Sequence, residues 1–483
     1  MRANVSGTIT NLKSGMGVVG QTWVKLKKGM AVIGGVWTKI WDAVKRNYIA
    51  TGVMFPIEYD SSVSTDNRAF LVPYSGGSFG TRTTKALFQG SLMGRFGGVY
   101  VMSRDGRYMI SMPRAESEIG NNFYIAWKYD DATGTYKQMS PHIYEMGTQY
   151  TWNSSTSFRL NNTCIRQTGS YKNNNVIIDP NGKYFITFWS LRGWQIAGTA
   201  ASKFDYTGDT SGTAYLFVVV YDINPDGGIT LRQGKRINWD SDTIYGVSDV
   251  DFSEMDALYV SYSFESGIIA CSYQKNTTTE KDVFDSSEWY GGLVSFDPET
   301  GDIKKATYTS ILNGGSYIGL SPDGYYVSNY NGSSSSGNDI YAINPETLQL
   351  TFVTTASDSG YIHNGAYTSN NGVRSLTDPT ITYKGYNGYI YAYSTVGGVS
   401  TRLGSLYRNG TAIYLFDITA SGKMAYYFYN SSNYQNVYWV SQLTMNDAGV
   451  PTAISDLMTF TRTDKIDSRT GSQSIMFLTP EDM

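Results

Sequence analysis

The chain has 483 residues and a formal net charge of −3, with only 16% of its residues charged, against roughly 25% in ordinary globular domains. Hydrophobic residues make up 41% of the chain and aromatic residues 14%, which suffices for a large core and excludes global disorder. Two cysteines, Cys164 and Cys271, exclude a disulfide framework, and a pI near 5.6 argues against a nucleic-acid partner.

No run of about 18 apolar residues offers a membrane span. The N-terminal residues lack an apolar stretch and a cleavage site, so no Sec signal peptide is expected. No glycine-rich phosphate loop is present, and His142 and His363 are the whole supply of imidazole.

Charge divides the chain. Residues 1–48 hold Arg2, Lys13, Lys25, Lys27, Lys28, Lys39, Lys45 and Arg46 against the single acid Asp42, a surplus of +7, which leaves −10 on residues 49–483. Within this basic segment Gly15-Met16-Gly17-Val18-Val19-Gly20-Gln21-Thr22-Trp23-Val24-Lys25-Leu26 recurs fourteen residues later as Gly29-Met30-Ala31-Val32-Ile33-Gly34-Gly35-Val36-Trp37-Thr38-Lys39-Ile40. Fourteen residues hold two short strands and a turn. Alternation puts Trp23, Lys25 and Lys27 on one face, with Gly20 and Gly34-Gly35 at the turns. Such units cannot bury a core alone. Residues 1–48 are therefore expected to be a docking segment, with Trp23, Lys25, Trp37, Lys39 and Trp41 as its partner-docking residues.

The repeated Gly-x-x-Trp-x-Lys-apolar pattern resembles the short N-terminal repeats of bacteriophage tail and other virion structural proteins. The resemblance covers about residues 15–44. It implies a virion protein assembled in the host cytoplasm and docked to other virion proteins by this end; since the residues show no catalytic site, no enzymatic activity is expected. It also implies an outward body that binds a host surface glycan or receptor, or only decorates the particle.

From residue 49 onward no helical period stands out. Short apolar–aromatic runs alternate with Gly, Asn, Asp and Ser clusters, an all-β pattern. One phrase is Ser103-Arg-Asp-Gly-Arg-Tyr108, Asp179-Pro-Asn-Gly-Lys-Tyr184 and Ser321-Pro-Asp-Gly-Tyr-Tyr326, with weaker copies near 64, 253, 387 and 421. A second is Asp222-Ile-Asn-Pro-Asp-Gly, Asp297-Pro-Glu-Thr-Gly and Asn344-Pro-Glu-Thr, with a weaker copy at Asp130. Both are hairpin turns: Asp-Gly and Asn-Gly tolerate positive φ, and Pro presets a type I turn. Two hairpins per repeat give a four-stranded blade. The spacing predicts a β-propeller of about seven blades over 49–483, with six or eight open and a pair of β-sandwiches as the other fold. The last strand, within Ser472–Thr479, would pair with the first blade and remove a free edge.

Chemistry is sparse. Neither histidine neighbours a nucleophile elbow. Acidic runs at Asp240-Ser-Asp242, Asp249-Val-Asp251-Phe-Ser-Glu254-Met-Asp256 and Asp282-Val-Phe-Asp285-Ser-Ser-Glu288 read first as solvated turns. They read second as oxygen ligands for Ca²⁺ or the carboxylates of a polysaccharide-degrading enzyme. No catalytic or metal residue and no cofactor is nominated. Tyr/Ser/Asn/Gly segments such as Asn153–Phe158, Tyr171–Asn175, Tyr330–Asp339 and Asn430–Asn436 have the composition of adaptable binding loops.

Overall fold

The computed structural model describes residues 47–59, 66–89, 96–114, 125–139, 176–192, 202–205, 214–225, 228–237, 258–274, 289–312, 318–321, 323–330, 338–356, 372–378, 380–386, 388–408, 413–430, 435–461, 475–481 and 483. It also describes the strands of 2–42 and the short strands at 151–152 and 156–157. The chain forms two compact units, Met1–Asn47 and Tyr48–Met483.

The first unit is three two-stranded antiparallel hairpins: Arg2–Val5 with Thr8–Asn11, Gly15–Val19 with Thr22–Leu26, and Lys28–Ile33 with Val36–Asp42. Their registers repeat every fourteen residues. Val5 pairs Thr8, Val19 pairs Thr22 and Ile33 pairs Val36; Asn4, Val18 and Val32 pair Ile9, Trp23 and Trp37. The repeat therefore has a third copy at its start. The sequence hides it because Ile9 stands where Trp23 and Trp37 stand, and Asn11 where Lys25 and Lys39 stand.

The second unit is a seven-bladed propeller, as the turn spacing predicts. Blade 1 orders Met476–Leu478, Gly52–Tyr59, Asp66–Ser75 and Thr83–Gln89 from the axis outward. Blade 2 holds Phe96–Met102, Tyr108–Arg114, Ile125–Asp130 and Thr135–Gln138. Blade 3 holds Val176–Ile178, Tyr184–Arg192, Ala214–Asn224 and Gly228–Arg236. Blade 4 holds Leu258–Ser263, Ile268–Gln274, Trp289–Phe296 and Ile303–Thr309. Blade 5 holds Ile318–Leu320, Tyr326–Tyr330, Asn338–Ile343 and Leu350–Ala356. Blade 6 holds Gly372–Arg374, Ile381–Tyr386, Tyr389–Val396 and Val399–Tyr407. Blade 7 holds Ile413–Ile418, Lys423–Asn430, Gln435–Met445 and Pro451–Thr461.

Closure comes from the C-terminal strand. Met476, Phe477 and Leu478 pair with Met54, Val53 and Gly52, so the first blade is completed by both ends of the unit. Three of the seven sequence anchors sit at the turn between first and second strands as expected, at 103, 179 and 321, and the copy at 421 lies in the matching turn of blade 7. The one near 387 falls between the second and third strands of blade 6. The anchor at 253 lies outside the described residues, and blade 4 turns instead at Ser263–Gly267. The anchor at 64 also lies outside them.

Candidate functional site

Antiparallel pairing puts both hairpin turns of a blade at one end of the ring. Cross-blade bonds show that these ends coincide: the Arg104 amide donates to Pro180 O at 2.9 Å, and the Tyr184 hydroxyl donates to Pro298 O at 2.9 Å. At this end one position recurs in every blade, immediately after or at the end of the innermost strand: Ser103, Asp179, Ser263, Ser321, Ser375, Thr419 and Thr479. It caps the turn. Ser103 Oγ accepts from the Tyr108 amide at 2.9 Å, Asp179 Oδ2 from Lys183 at 2.9 Å, Ser321 Oγ from Tyr326 at 3.0 Å and Thr419 Oγ1 from Lys423 at 2.9 Å.

The phrase's aromatic receives a turn glycine from the next blade. A Cβ on Gly182 would lie 2.2 Å from Tyr108, one on Gly301 2.5 Å from Tyr184, and one on Gly398 2.5 Å from Tyr326. All three glycines hold positive φ, which leaves room for nothing larger. Asp417, 4% exposed on the first strand of blade 7, accepts both Arg104 guanidinium nitrogens at 2.7 and 3.2 Å and the Phe477 and Ile418 amides at 2.7 and 3.0 Å. Burial pushes this carboxyl up, against the Arg104 charge and the amide donors. Blade 2, the closing strand of blade 1 and blade 7 are tied at one atom group. This end of the ring is committed to structure.

The interfaces between blades are not alike. Apolar clusters of buried residues fill six of them. Met54, Leu71, Met109 and Trp127 join blades 1 and 2, and one large cluster runs from Ile110 through Phe188 and Val219 to Val294 across blades 2, 3 and 4. Ala270 and Leu293 meet Leu320 and Val327 between blades 4 and 5. Tyr383 and Ile390 meet Leu415 and Tyr426 between blades 6 and 7, and Phe416 and Val440 meet Val53 and Phe477 between blades 7 and 1. No such cluster joins blades 5 and 6 among the described residues.

Register explains why. On blade 5, Leu320, Val327, Tyr341 and Phe352 form a row on the face toward blade 4, so the opposite row Gly319, Ser328, Ile340 and Thr354 faces blade 6. On blade 6, Val373, Tyr383 and Ala392 face blade 7. The alternate rows Arg374–Thr382–Tyr393–Arg402 and Gly372–Lys384–Tyr391–Ser405 face blade 5. Thr382 is 6% exposed, and its hydroxyl is buried without a partner. Lys384, two residues on, is half-buried; burial pulls its ammonium down to about 8. Tyr389, Tyr391 and Tyr393 form a ladder with centroids 5.6 and 6.3 Å apart, and Tyr407 closes on Tyr389 at 4.8 Å. The Arg402 guanidinium lies 5.8 Å from the Tyr391 ring. Arg374 is held by Glu265 of blade 4 at 2.9 Å. Lys384 lies toward the far end of its strand from the 375–380 turn, at the end opposite the locked turns.

Sequence reasoning passed over Lys384 and Thr382. The signal was available in the alternation Thr382, Lys384 against Ile381, Tyr383, which puts polar groups on one face of the strand and apolar ones on the other. Of the expected docking residues, Trp23 and Lys25 lie on one hairpin opposite Val18 and Met16. Trp37 and Lys39 lie at the same positions of the next hairpin opposite Val32 and Met30, and Trp41 is opposite Gly29. His142, His363, Cys164, the acidic runs at 240–256 and 282–288, and the segments 171–175, 331–337 and 431–434 lie outside the described residues, as does most of 153–158. Cys271 is buried, and burial pushes its thiol up to about 12, so it is inert. Among the described residues no group of His, Cys, Asp and Glu is placed to hold a metal ion, and no helix is long and apolar enough to cross a membrane.

No family model matches the chain, and no curated protein does. Among solved structures it is similar to the periplasmic gluconolactonase of Pseudomonas aeruginosa, with 10% identity, 89% of this chain and 100% of that one covered, and a TM-score of 0.46. A putative 6-phosphogluconolactonase from Bacteroides uniformis is 13% identical, covering 85% and 99%, with a TM-score of 0.43. A protein from Lactobacillus plantarum is also 13% identical, covering 85% and 95%, with a TM-score of 0.45. At these identities the similarity is one of fold.

Two expectations are corrected by two of these neighbours, which are named as a gluconolactonase and a putative 6-phosphogluconolactonase and not as particle proteins. The expected role as a non-enzymatic virion component, whether host-binding or decorating, is not borne out. Neither is the absence of enzymatic activity. The physical reason is one of coverage: the repeat behind the resemblance occupies residues 15–44, in the hairpin unit, and constrains nothing in the propeller.

Proposed function

We propose that the propeller is an enzyme-type scaffold that binds a small hydroxylated substrate and hydrolyses it at the end of the ring opposite the hairpin turns. The observation that supports this is the contrast between the two ends. At the turn end the capping Ser, Asp and Thr groups and the Arg104–Asp417 pair already hold partners. Toward the other end, blade 6 keeps a desolvated lysine beside a buried hydroxyl with no partner. The strands also pass into their longest connections there, such as 139–175, 193–213 and 237–257. Those three segments and 275–288 carry most of the chain's acidic runs and one of its two histidines, and 357–371 carries the other. General acid–base hydrolysis needs groups of these kinds.

The test is ring opening of glucono-δ-lactone by the full chain, followed as acid release in a pH-stat. We expect acceleration above the spontaneous rate, saturable in lactone. Folded protein that leaves the spontaneous rate unchanged for this and other sugar lactones overturns the reading.

A further inference from the structure

The three hairpins of the first unit share a pattern that the proposed hydrolysis does not use. Among the described residues they are separate two-stranded sheets, with no ladder between them. Register gives each the same two cross-strand pairs. The pair Arg2–Asn11, Met16–Lys25 or Met30–Lys39 holds one cation in every copy, on the first strand of the first hairpin and on the second strand of the others. The pair next to it on the same face, Asn4–Ile9, Val18–Trp23 or Val32–Trp37, holds a large apolar residue on the second strand. The copy that lacks Trp and Lys has therefore kept both characters, a cation beside a large apolar residue. Residues 1–48 carry +7 with Asp42 as their one acid, and like charges repeated at this spacing repel one another unless an anion lies against them. Two-stranded hairpins are marginal in water, so three that share no ladder gain order from a surface that covers them.

We propose that residues 1–47 are a docking surface for an anionic phospholipid bilayer, lying on it without crossing it, with the Arg2, Lys25 and Lys39 positions at the lipid phosphates and the Trp23 and Trp37 positions at the boundary of headgroups and acyl chains. Tryptophan rings and long basic side chains both suit that boundary, and clustered cations are attracted to an anionic leaflet. Other anionic partners fit less well. A nucleic acid is held by faces rich in polar hydrogen-bonding groups, whereas the residues across from Trp23, Lys25, Trp37 and Lys39 are Val18, Met16, Val32 and Met30. The core of a protein interface is depleted in lysine. Net charge supplies no attraction: −3 on the chain and −10 on residues 49–483 keep the protein off an anionic surface unless this segment engages it by itself. The inference is independent of the proposed hydrolysis.

The test is co-sedimentation of the full chain with vesicles of phosphatidylcholine alone and of equimolar phosphatidylcholine and phosphatidylglycerol. We expect binding to the mixed vesicles that weakens as salt rises, and none to the neutral ones. Lys25→Gln combined with Lys39→Gln is expected to weaken binding ~30-fold, the share of two cations in the attraction to an anionic leaflet. Trp23→Ser combined with Trp37→Ser keeps every charge and is expected to weaken it ~10-fold through lost apolar burial. Both variants are expected to keep the melting temperature of the ring, since they alter only the first unit.

Full chain that stays off the mixed vesicles, or binds neutral vesicles as tightly, overturns the surface. So does undiminished binding by either double variant with its ring folded. Single-stranded DNA or polyglutamate bound as tightly as the mixed vesicles, at equal concentration of anionic groups, overturns the lipid and points to a nucleic acid or an acidic protein in its place.

Discussion

Glycine at the turn end has a different meaning from glycine elsewhere in the ring. Gly182 and Gly76 both hold positive φ, at 69° and 58°. Around Gly76 a Cβ meets nothing within 4 Å, whereas at Gly182 it meets the Tyr108 ring at 2.2 Å. Gly182→Ala is therefore expected to cost about 1–3 kcal/mol more than Gly76→Ala, the usual penalty of overpacking, in denaturant unfolding of the two variants. Equal costs would mean that the Tyr108 ring moves aside. Asp417 makes a sharper case. Asp417→Ala leaves Arg104 without its acid and the Phe477 amide without its acceptor. We expect a loss of about 3 kcal/mol or more and a melting transition that falls accordingly. Lys384 runs the other way. Its ammonium titrates near 8 in the fold and near 10.4 in the unfolded chain. Between these values the unfolded chain binds more protons, so stability rises with pH across that window. Lys384→Met is accordingly expected to melt higher than the native chain at pH 7. The advantage should shrink as pH rises from about 8 to about 10.4. A variant that melts lower at pH 7 would show that Lys384 is a structural cation.

The blades repeat a device that the sequence states openly. Ser-x-Asp-Gly-x-Tyr names the cap, the left-handed glycine and the aromatic together, because all three belong to one turn and its first strand residue. Asp297-Pro-Glu-Thr-Gly is equally legible: the Asp297 carboxylate accepts from the Glu299 amide at 2.8 Å and Gly301 closes at φ 82°. Where the turn is built from other residues the phrase fails. Blade 4 turns on Ser263-Phe-Glu-Ser-Gly267, and blade 5 puts Leu348 at φ 61° where a glycine is usual, with its side chain buried. Asn387-Gly looked like the same turn, yet it joins the second and third strands of blade 6, because the dipeptide reports a tight hairpin and not its place in a blade. Ring closure is the element-scale prediction. Removing residues 475–483 takes away the partner of Gly52–Tyr59, the Phe477 amide that donates to Asp417 and a shared part of the blade 7 interface. The shortened chain is expected to elute as multimers in size-exclusion chromatography, because a long free strand edge recruits other chains. A monomer of unchanged melting temperature would count against closure as a source of stability.

At the scale of the molecule, two units divide at Asn47–Tyr48. The propeller holds its own closed core, so residues 48–483 alone are expected to melt at the temperature of the full chain in calorimetry. Isolated two-stranded hairpins are marginal in water, so residues 1–47 alone are expected to show little cooperative unfolding. A transition that drops by several degrees on removing 1–47 would show that the hairpins stabilise the ring.

By itself the sequence determined the all-β class, the turns, the fourteen-residue repeat and a count of about seven blades, because each of these is local: hairpin chemistry and period-two alternation act over a few neighbouring residues. It did not determine the third hairpin copy, whose register survives while its Trp and Lys do not. It misled on function, since the repeat speaks for 1–47 alone. Tertiary structure alone decided that Arg104 and Asp417, 313 residues apart, close on each other. It alone also decided that Thr382 and Lys384 face the interface that no apolar cluster among the described residues joins. Which face of a strand meets a neighbouring blade depends on how the ring closes, and no local pattern carries that.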